Sequence, residues 1–87
     1  MADDARSEIE SSYTETDGER RLTFVRENRT ATLAQNIDGY AMVAVRDEQG
    51  ERERYYGFEM ALDHAAELLG VEPAALSIPD GAADMGM

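Results

Sequence analysis

Residues 17–39, DGERRLTFVRENRTATLAQNIDG, contain two β-prone runs bounded by three turn sequences. The turns are Asp17-Gly18, Glu27-Asn28 and Asp38-Gly39. Asp-Gly pairs favour the positive φ angles of tight hairpins, so each run is expected to pair with its neighbours in the chain. With a fourth turn at residues 47–50, the pattern predicts five antiparallel strands, at about 9–16, 19–26, 29–37, 40–47 and 51–57.

The pairings that these turns imply are mutually consistent. Two-residue turns place Tyr13 opposite Leu22, and Leu22 opposite Leu33. The turn at residues 38–39 places Leu33 opposite Ala44. Because cross-strand partners share a face of the sheet, one face is predicted to be apolar. Its predicted members are Ile9, Tyr13, Leu22, Phe24, Ala31, Leu33, Ile37, Tyr40, Met42 and Ala44.

Residues 58–69, FEMALDHAAELL, carry an apolar stripe at helical spacing. Gly57 suits the N-cap, and Gly70 suits the left-handed position that ends a helix. The sequence therefore predicts an α+β fold (βββββα), an antiparallel meander of four or five strands with one amphipathic helix packed on its apolar face. Residues 9–78 would form this single domain, between an acidic frayed N-terminus (1–8) and a flexible C-terminal tail (79–87).

The charge of the chain is strongly negative. Nineteen Asp and Glu residues face eight basic residues, all of them arginine, and the net charge is −11. This self-repulsion opposes a compact state in dilute buffer, but molar salt shortens the Debye length to about 3 Å and screens it. In composition and layout the chain resembles the small acidic proteins of uncharacterised function that are common in haloarchaea. The resemblance implies a halophilic archaeal protein, and it transfers no site residues.

Composition also bounds the location and assembly of the protein. Cysteine is absent, which excludes disulfides and thiolate metal sites. No secretory signal is recognisable, and no apolar run approaches the roughly 20 residues that span a membrane. We therefore expect a cytoplasmic protein without membrane contact. Since so short a chain builds only a small core, a homodimer is expected.

No catalytic, cofactor-binding or metal-ligating residue is predicted. His64, the only histidine, lies at the flank of the helical stripe. A lone histidine without a second ligand three or four residues away is a poor metal site. We therefore predict that the protein is not an enzyme. An alternative interpretation places His64 in a pocket between helix and sheet, in a small-molecule binder or enzyme.

The second face of the sheet is predicted to be more apolar than a solvated face usually is. It would carry Thr23, Val25, Thr32, Ala34, Ala41, Val43 and Val45. The leading prediction is thus a non-enzymatic interaction module that forms a homodimer through this open face. The interface candidates are Val25, Ala34, Val43, Val45, Arg46, Arg52 and Arg54.

The arginines of the last hairpin leave one further alternative, a regulator that binds nucleic acid. Arginine binds phosphate in a bidentate manner, so Arg46, Arg52 and Arg54 could form a phosphate-binding patch. The sequence favours the other interpretation, in which they pair with the acidic residues of the same hairpin, Asp47, Glu48, Glu51 and Glu53. The negative charge of the whole chain makes nucleic acid the less favoured partner.

Overall fold

A computed structural model of the protein describes residues 9–37, 42–82 and 85. Five strands form one antiparallel sheet, in which each strand pairs with the next along the chain. They are β1 (Ile9–Thr16), β2 (Glu19–Arg26), β3 (Arg29–Asn36), β4 (Val43–Asp47) and β5 (Gly50–Tyr55). Helix α1 (Phe58–Leu69) packs on one face, and 3-10 turns follow at Pro73–Ala75 and Asp80–Ala82. The predicted α+β fold is confirmed.

The first two hairpins have the predicted registers. Tyr13 pairs with Leu22, and Leu22 pairs with Leu33. Asp17 and Glu27 have φ angles of 55° and 56°, which is the left-handed backbone that two-residue hairpin turns require. The turn predicted at residues 38–39 lies outside the described residues.

The register between β3 and β4 differs from the prediction by one residue. Leu33 pairs with Val45 rather than with Ala44. A shift of one residue exchanges the two faces of a strand, so Val43 and Val45 turn towards α1 and are fully buried. The prediction that Met42 and Ala44 belong to the helix-covered face was therefore wrong.

Two physical reasons favour the observed register. It buries two β-branched valines, which pack well on a pleated surface and contribute more apolar area than alanine. It also turns Arg46 away from α1. In the predicted register, Arg46 would share the helix-covered face, where an unpaired charge is costly to bury.

Helix α1 lies mainly over β3 and β4. Gly57 and Gly70 occupy its two caps as predicted, and Gly70 has the left-handed φ of 75°. At this C-terminal end, Arg26 of β2 donates a hydrogen bond from Nη1 to the Leu69 carbonyl oxygen at 2.8 Å. The last turn of α1 contains no basic residue. A strand arginine therefore supplies the positive charge that stabilises the negative end of the helix dipole.

The described residues after residue 78 pack against the sheet, in the segment for which the sequence predicted a flexible tail. Ala82 is fully buried and Met85 is 1% exposed. Gly81 lies against the ring of Tyr13, where an added Cβ would be 2.9 Å from Cδ2. Arg20 donates a hydrogen bond from Nη2 to the Gly81 carbonyl oxygen at 3.1 Å. Residues 80–82 thus cover the β1–β2 side of the core, beside the helix.

Candidate functional site

The open face of the sheet, the side turned away from α1, lacks the two residues that made it a predicted apolar interface. Val43 and Val45 lie in the core, so they cannot contribute to a surface. Val25 remains on the open face and is half-buried, and Ala34 is only 3% exposed. The residues that remain there do not form a continuous apolar patch in the described strands.

Small residues at the centre of the open face are flanked by arginines. Ala34 pairs with Ala44 across β3 and β4, and their outer partners on β2 and β5 are Arg21 and Arg54. Ala44 is 5% exposed although it lies on the uncovered side. We attribute this burial to the long arginine stems, which commonly lie along apolar surface while the charged ends stay in water.

Glu19 is the centre of an ion-pair network on this face. Its carboxylate accepts hydrogen bonds from Arg21 Nε at 2.9 Å and from Arg46 Nη2 at 2.9 Å. Arg46 also lies 3.9 Å from Glu51, which in turn accepts a hydrogen bond from Arg54 Nε at 2.8 Å. The network therefore connects β2, β4 and β5 on the side of the sheet that no helix covers.

The network shifts the ionisation of its members. The hydrogen bond from Arg46, followed by that from Arg21, lowers the pKa of Glu19 from 4.5 to about 2. The same hydrogen bond raises the pKa of Arg46. The hydrogen bond from Arg54 lowers the pKa of Glu51. Each shift stabilises the charged form, as expected for a group that gains a hydrogen-bonded partner of opposite charge.

The arginines considered for nucleic-acid binding are all engaged within the chain. Arg46 pairs with Glu19, and Arg54 pairs with Glu51. Arg52 Nε donates to Asp47 at 2.7 Å, and this hydrogen bond lowers the pKa of Asp47. A phosphate would have to displace a carboxylate at each of these positions. The geometry thus favours the alternative that the sequence left open, pairing within the protein.

The sequence did not reveal the partner of Arg46. The acidic residues of its own hairpin were expected to pair with it, whereas the main partner, Glu19, lies on β2. A signal was present in the confirmed β2–β3 register, which places Glu19, Arg21 and Thr23 on one face. Only the β3–β4 register brings Arg46 to that same face, because it pairs Arg46 with Thr32.

The two outer edges of the sheet differ in character. Strand β5 carries the alternating charges of Glu51, Arg52, Glu53 and Arg54, and a β-bulge interrupts its pairing with β4 near Val45 and Arg46. Strand β1 is regular over eight residues and pairs only with β2 in the described sheet. Its sequence, IESSYTET, carries two acidic residues and no arginine.

A pocket of about 250 Å³ lies between α1 and the end of β5. This helix-edge pocket is lined by Tyr55, Met60, Asp63, His64 and Glu67. Tyr55 Oη and His64 Nδ1 are 3.1 Å apart, within hydrogen-bonding distance. Their rings meet edge to face, with centroids 5.7 Å apart and planes at 89°. The alternative prediction that His64 borders a pocket between helix and sheet therefore matches the observed position of its side chain.

The chain belongs to a family of unknown function, DUF7111, whose model matches residues 3–87. No curated protein and no solved structure matches the chain. Family membership thus covers the whole fold without assigning an activity.

Two further observations concern the described part of the chain. None of its helices is long and apolar enough to cross a membrane. Nor do the described side chains include a group of three or more histidine, cysteine or acidic residues placed to hold a metal ion.

Proposed function

We propose that this protein is a non-enzymatic protein-interaction module that forms a homodimer, and that two copies join along the edges of their β1 strands. The observation that supports this proposal is the contrast between the two sheet edges. Exposed edge strands invite pairing, and proteins usually block them with charges, prolines or bulges. Strand β5 has two of these features, whereas β1 has a regular backbone and few charges.

The charges of β5 also oppose its pairing with a second copy of itself. Two antiparallel edge strands related by a two-fold axis keep the same face on the same side, so odd residues must oppose odd residues and even must oppose even. In β5 the odd positions Glu51 and Glu53 are acidic and the even positions Arg52 and Arg54 are basic. The bulge places Glu51 and Arg54 on the same face of the sheet, so this alternation holds only for Glu53 and Arg54. A symmetric pairing centred on either of these two residues sets like charges against each other, which is destabilising.

Strand β1 avoids this conflict. In the two pairings centred on the strand, either Ser12 opposes Ser12 or Tyr13 opposes Tyr13. Glu10 and Glu15 then face Thr, Ser or Ile of the second copy, so no acidic residue opposes another. The paired strands would also continue the sheet from five to ten strands and cover the backbone groups that each β1 edge leaves open.

This proposal moves the dimer interface away from the open face, where the sequence placed it. Val43 and Val45 carried that prediction, and both are needed in the core. The other predicted interface residues on that face, including Val25 and Arg46, remain a prediction for an interface on the open face. A dimer that uses the open face would have to cover the Glu19 network.

The composition supports a salt-dependent dimer in the cytoplasm of a halophilic cell. Two chains of net charge −11 repel each other at low ionic strength. Molar potassium chloride screens that repulsion. The dimer is thus expected to form in molar salt and to dissociate on dilution into low salt.

Light scattering after size-exclusion chromatography in molar KCl tests the proposal. The wild type should have about twice the mass of the 9.6 kDa chain. The double variant Ser12→Glu, Thr14→Glu sets acidic residues opposite each other in both centred pairings, so it should be monomeric. The matched control Gln49→Glu, Ser77→Glu makes the same change in net charge at two exposed positions away from β1, and it should remain dimeric.

Circular dichroism must first show that both variants are folded. A wild type that stays monomeric at high protein concentration refutes the dimer. A dimer that survives in the Ser12→Glu, Thr14→Glu variant instead moves the interface to another surface, and Val25→Arg would then test the open face.

A further inference from the structure

We propose that the helix-edge pocket binds an organic cation, an ammonium or guanidinium group carried on a short apolar or aromatic stem. The pocket lies beside β5, at the opposite edge of the sheet from β1. Its volume of about 250 Å³ is below that of pockets for drug-sized ligands and suits a small molecule or a single side chain. Because the pocket lies away from the β1 edge, ligand binding there does not depend on the proposed dimer.

The pocket wall on the helix is a single stripe. Met60, Asp63, His64 and Glu67 follow one another at intervals of three, one and three residues, so they lie along one side of α1. Tyr55, at the end of β5, forms the facing wall. Because its hydroxyl group meets His64 Nδ1 at 3.1 Å, the two rings hold each other in a defined orientation. The site is thus an ordered concave surface with aromatic and polar parts.

The charges in this wall point to a cation. Asp63 and Glu67 are four residues apart on the same side of the helix, a spacing at which like charges destabilise each other. Residues 59–87 contain no arginine or lysine. Within the described residues, neither carboxylate belongs to an ion pair, whereas Glu19, Asp47 and Glu51 all do. A bound cation would relieve the repulsion.

The rest of the lining indicates an organic cation rather than a metal ion. Met60 is 59% exposed, a high value for a methionine beside a pocket. Its thioether and the Tyr55 ring can contact an apolar stem, and aromatic faces attract ammonium and guanidinium groups. The described chain places no third strong metal ligand with the carboxylates and His64. Two carboxylates beside an aromatic and thioether surface suit a cation with an apolar stem.

Nuclear magnetic resonance of His64 tests the inference directly. As the only histidine, His64 gives unambiguous imidazole signals that report on the pocket. Titration with benzylamine should shift these signals to saturation. The uncharged analogue benzyl alcohol, which has nearly the same shape, should shift them far less.

Paired variants identify the groups that recognise the cation. The double variant Asp63→Asn, Glu67→Gln keeps the shape of the pocket but should weaken benzylamine binding about tenfold, since it removes both charges. The control variant Glu59→Gln, Glu72→Gln removes two other exposed charges and should bind as the wild type does. Absence of saturation, an equal response to benzyl alcohol, or unchanged binding in Asp63→Asn, Glu67→Gln would each overturn the inference.

Discussion

Replacing Glu19 with glutamine should destabilise the protein although Glu19 lies on the open face of the sheet. Its carboxylate accepts charged hydrogen bonds from Arg21 and Arg46. Glutamine has nearly the same shape but only one acceptor oxygen and no charge. After the substitution, Arg46 keeps Glu51 as its charged neighbour, but at 3.9 Å.

The size of the loss follows from the pKa of Glu19. A pKa that falls from 4.5 to about 2 on folding sets an upper limit, since each pKa unit corresponds to about 1.4 kcal/mol. The side chains of Glu19 and Arg46 are 19% and 29% exposed, so solvent screens part of this interaction. We therefore expect Glu19→Gln to lower the free energy of unfolding by about 1–2 kcal/mol at neutral pH.

The pH dependence has a definite sign. A carboxyl group whose pKa is lower in the folded state stabilises the fold above its unfolded pKa, and this contribution is lost as the pH falls. For Glu19, the stability advantage of the wild type over Glu19→Gln should be complete above pH 4.5 and should decline as the pH falls towards about 2. The stabilities of the wild type and Glu19→Gln should therefore converge in acid.

Urea unfolding followed by circular dichroism, in constant molar KCl, measures this difference across the pH range. Glu53→Gln serves as the control because it removes a carboxylate from an exposed position of β5. We expect a lower free energy of unfolding for Glu19→Gln but not for Glu53→Gln, and we expect this deficit to shrink in acid. Equal stability of Glu19→Gln and wild type at neutral pH, or a deficit that persists unchanged in acid, would refute the role assigned to the network.

Three further stability predictions use the same urea assay. Val43→Ala should lower the free energy of unfolding by about 1–3 kcal/mol because Val43 is fully buried. Val25→Ala on the open face should lower it less, and equal losses would contradict the observed β4 register. Arg26→Met removes the hydrogen bond to the Leu69 carbonyl and should cost about 1–2 kcal/mol, with faster hydrogen exchange in the last turn of α1; unchanged exchange would argue against this capping role. Met85→Ala should cost about 2 kcal/mol because its side chain lies in the core, whereas no loss would show that the end of the chain contributes little.

Local features of the chain were predictable because neighbours in sequence carry them. The bounds of α1 follow from an apolar stripe between two glycines, and the structure has the helix at the predicted residues. The first two hairpins follow from turns of two residues, which leave the adjoining strands a single register. The packing of Gly81 and Ala82 was missed because the small residues around them have no periodic pattern in the sequence, and because it depends on contact with Tyr13 and the distant β2 strand.

The candidate sites were only partly predictable for the same reason. The position of His64 beside a pocket followed from its place on the flank of the helical stripe. The carboxylates beside it were not assigned to a pocket, since the facing wall is formed by the end of β5. The contrast between the β1 and β5 edges depends in part on the β-bulge beside β5, which arises only when β4 and β5 pair.

The sequence by itself determined the antiparallel meander of four or five strands, the helix and the acidic, lysine-free composition, because each depends on composition or on contacts between near neighbours. The tertiary structure alone decided which residues of β4 face the helix. The observed register is favoured because it buries Val43 and Val45, leaves Arg46 on the open face, and brings Arg46 close to Glu19. Those competing contacts join residues as far apart as 19 and 46, so their balance is set only when the whole sheet is assembled.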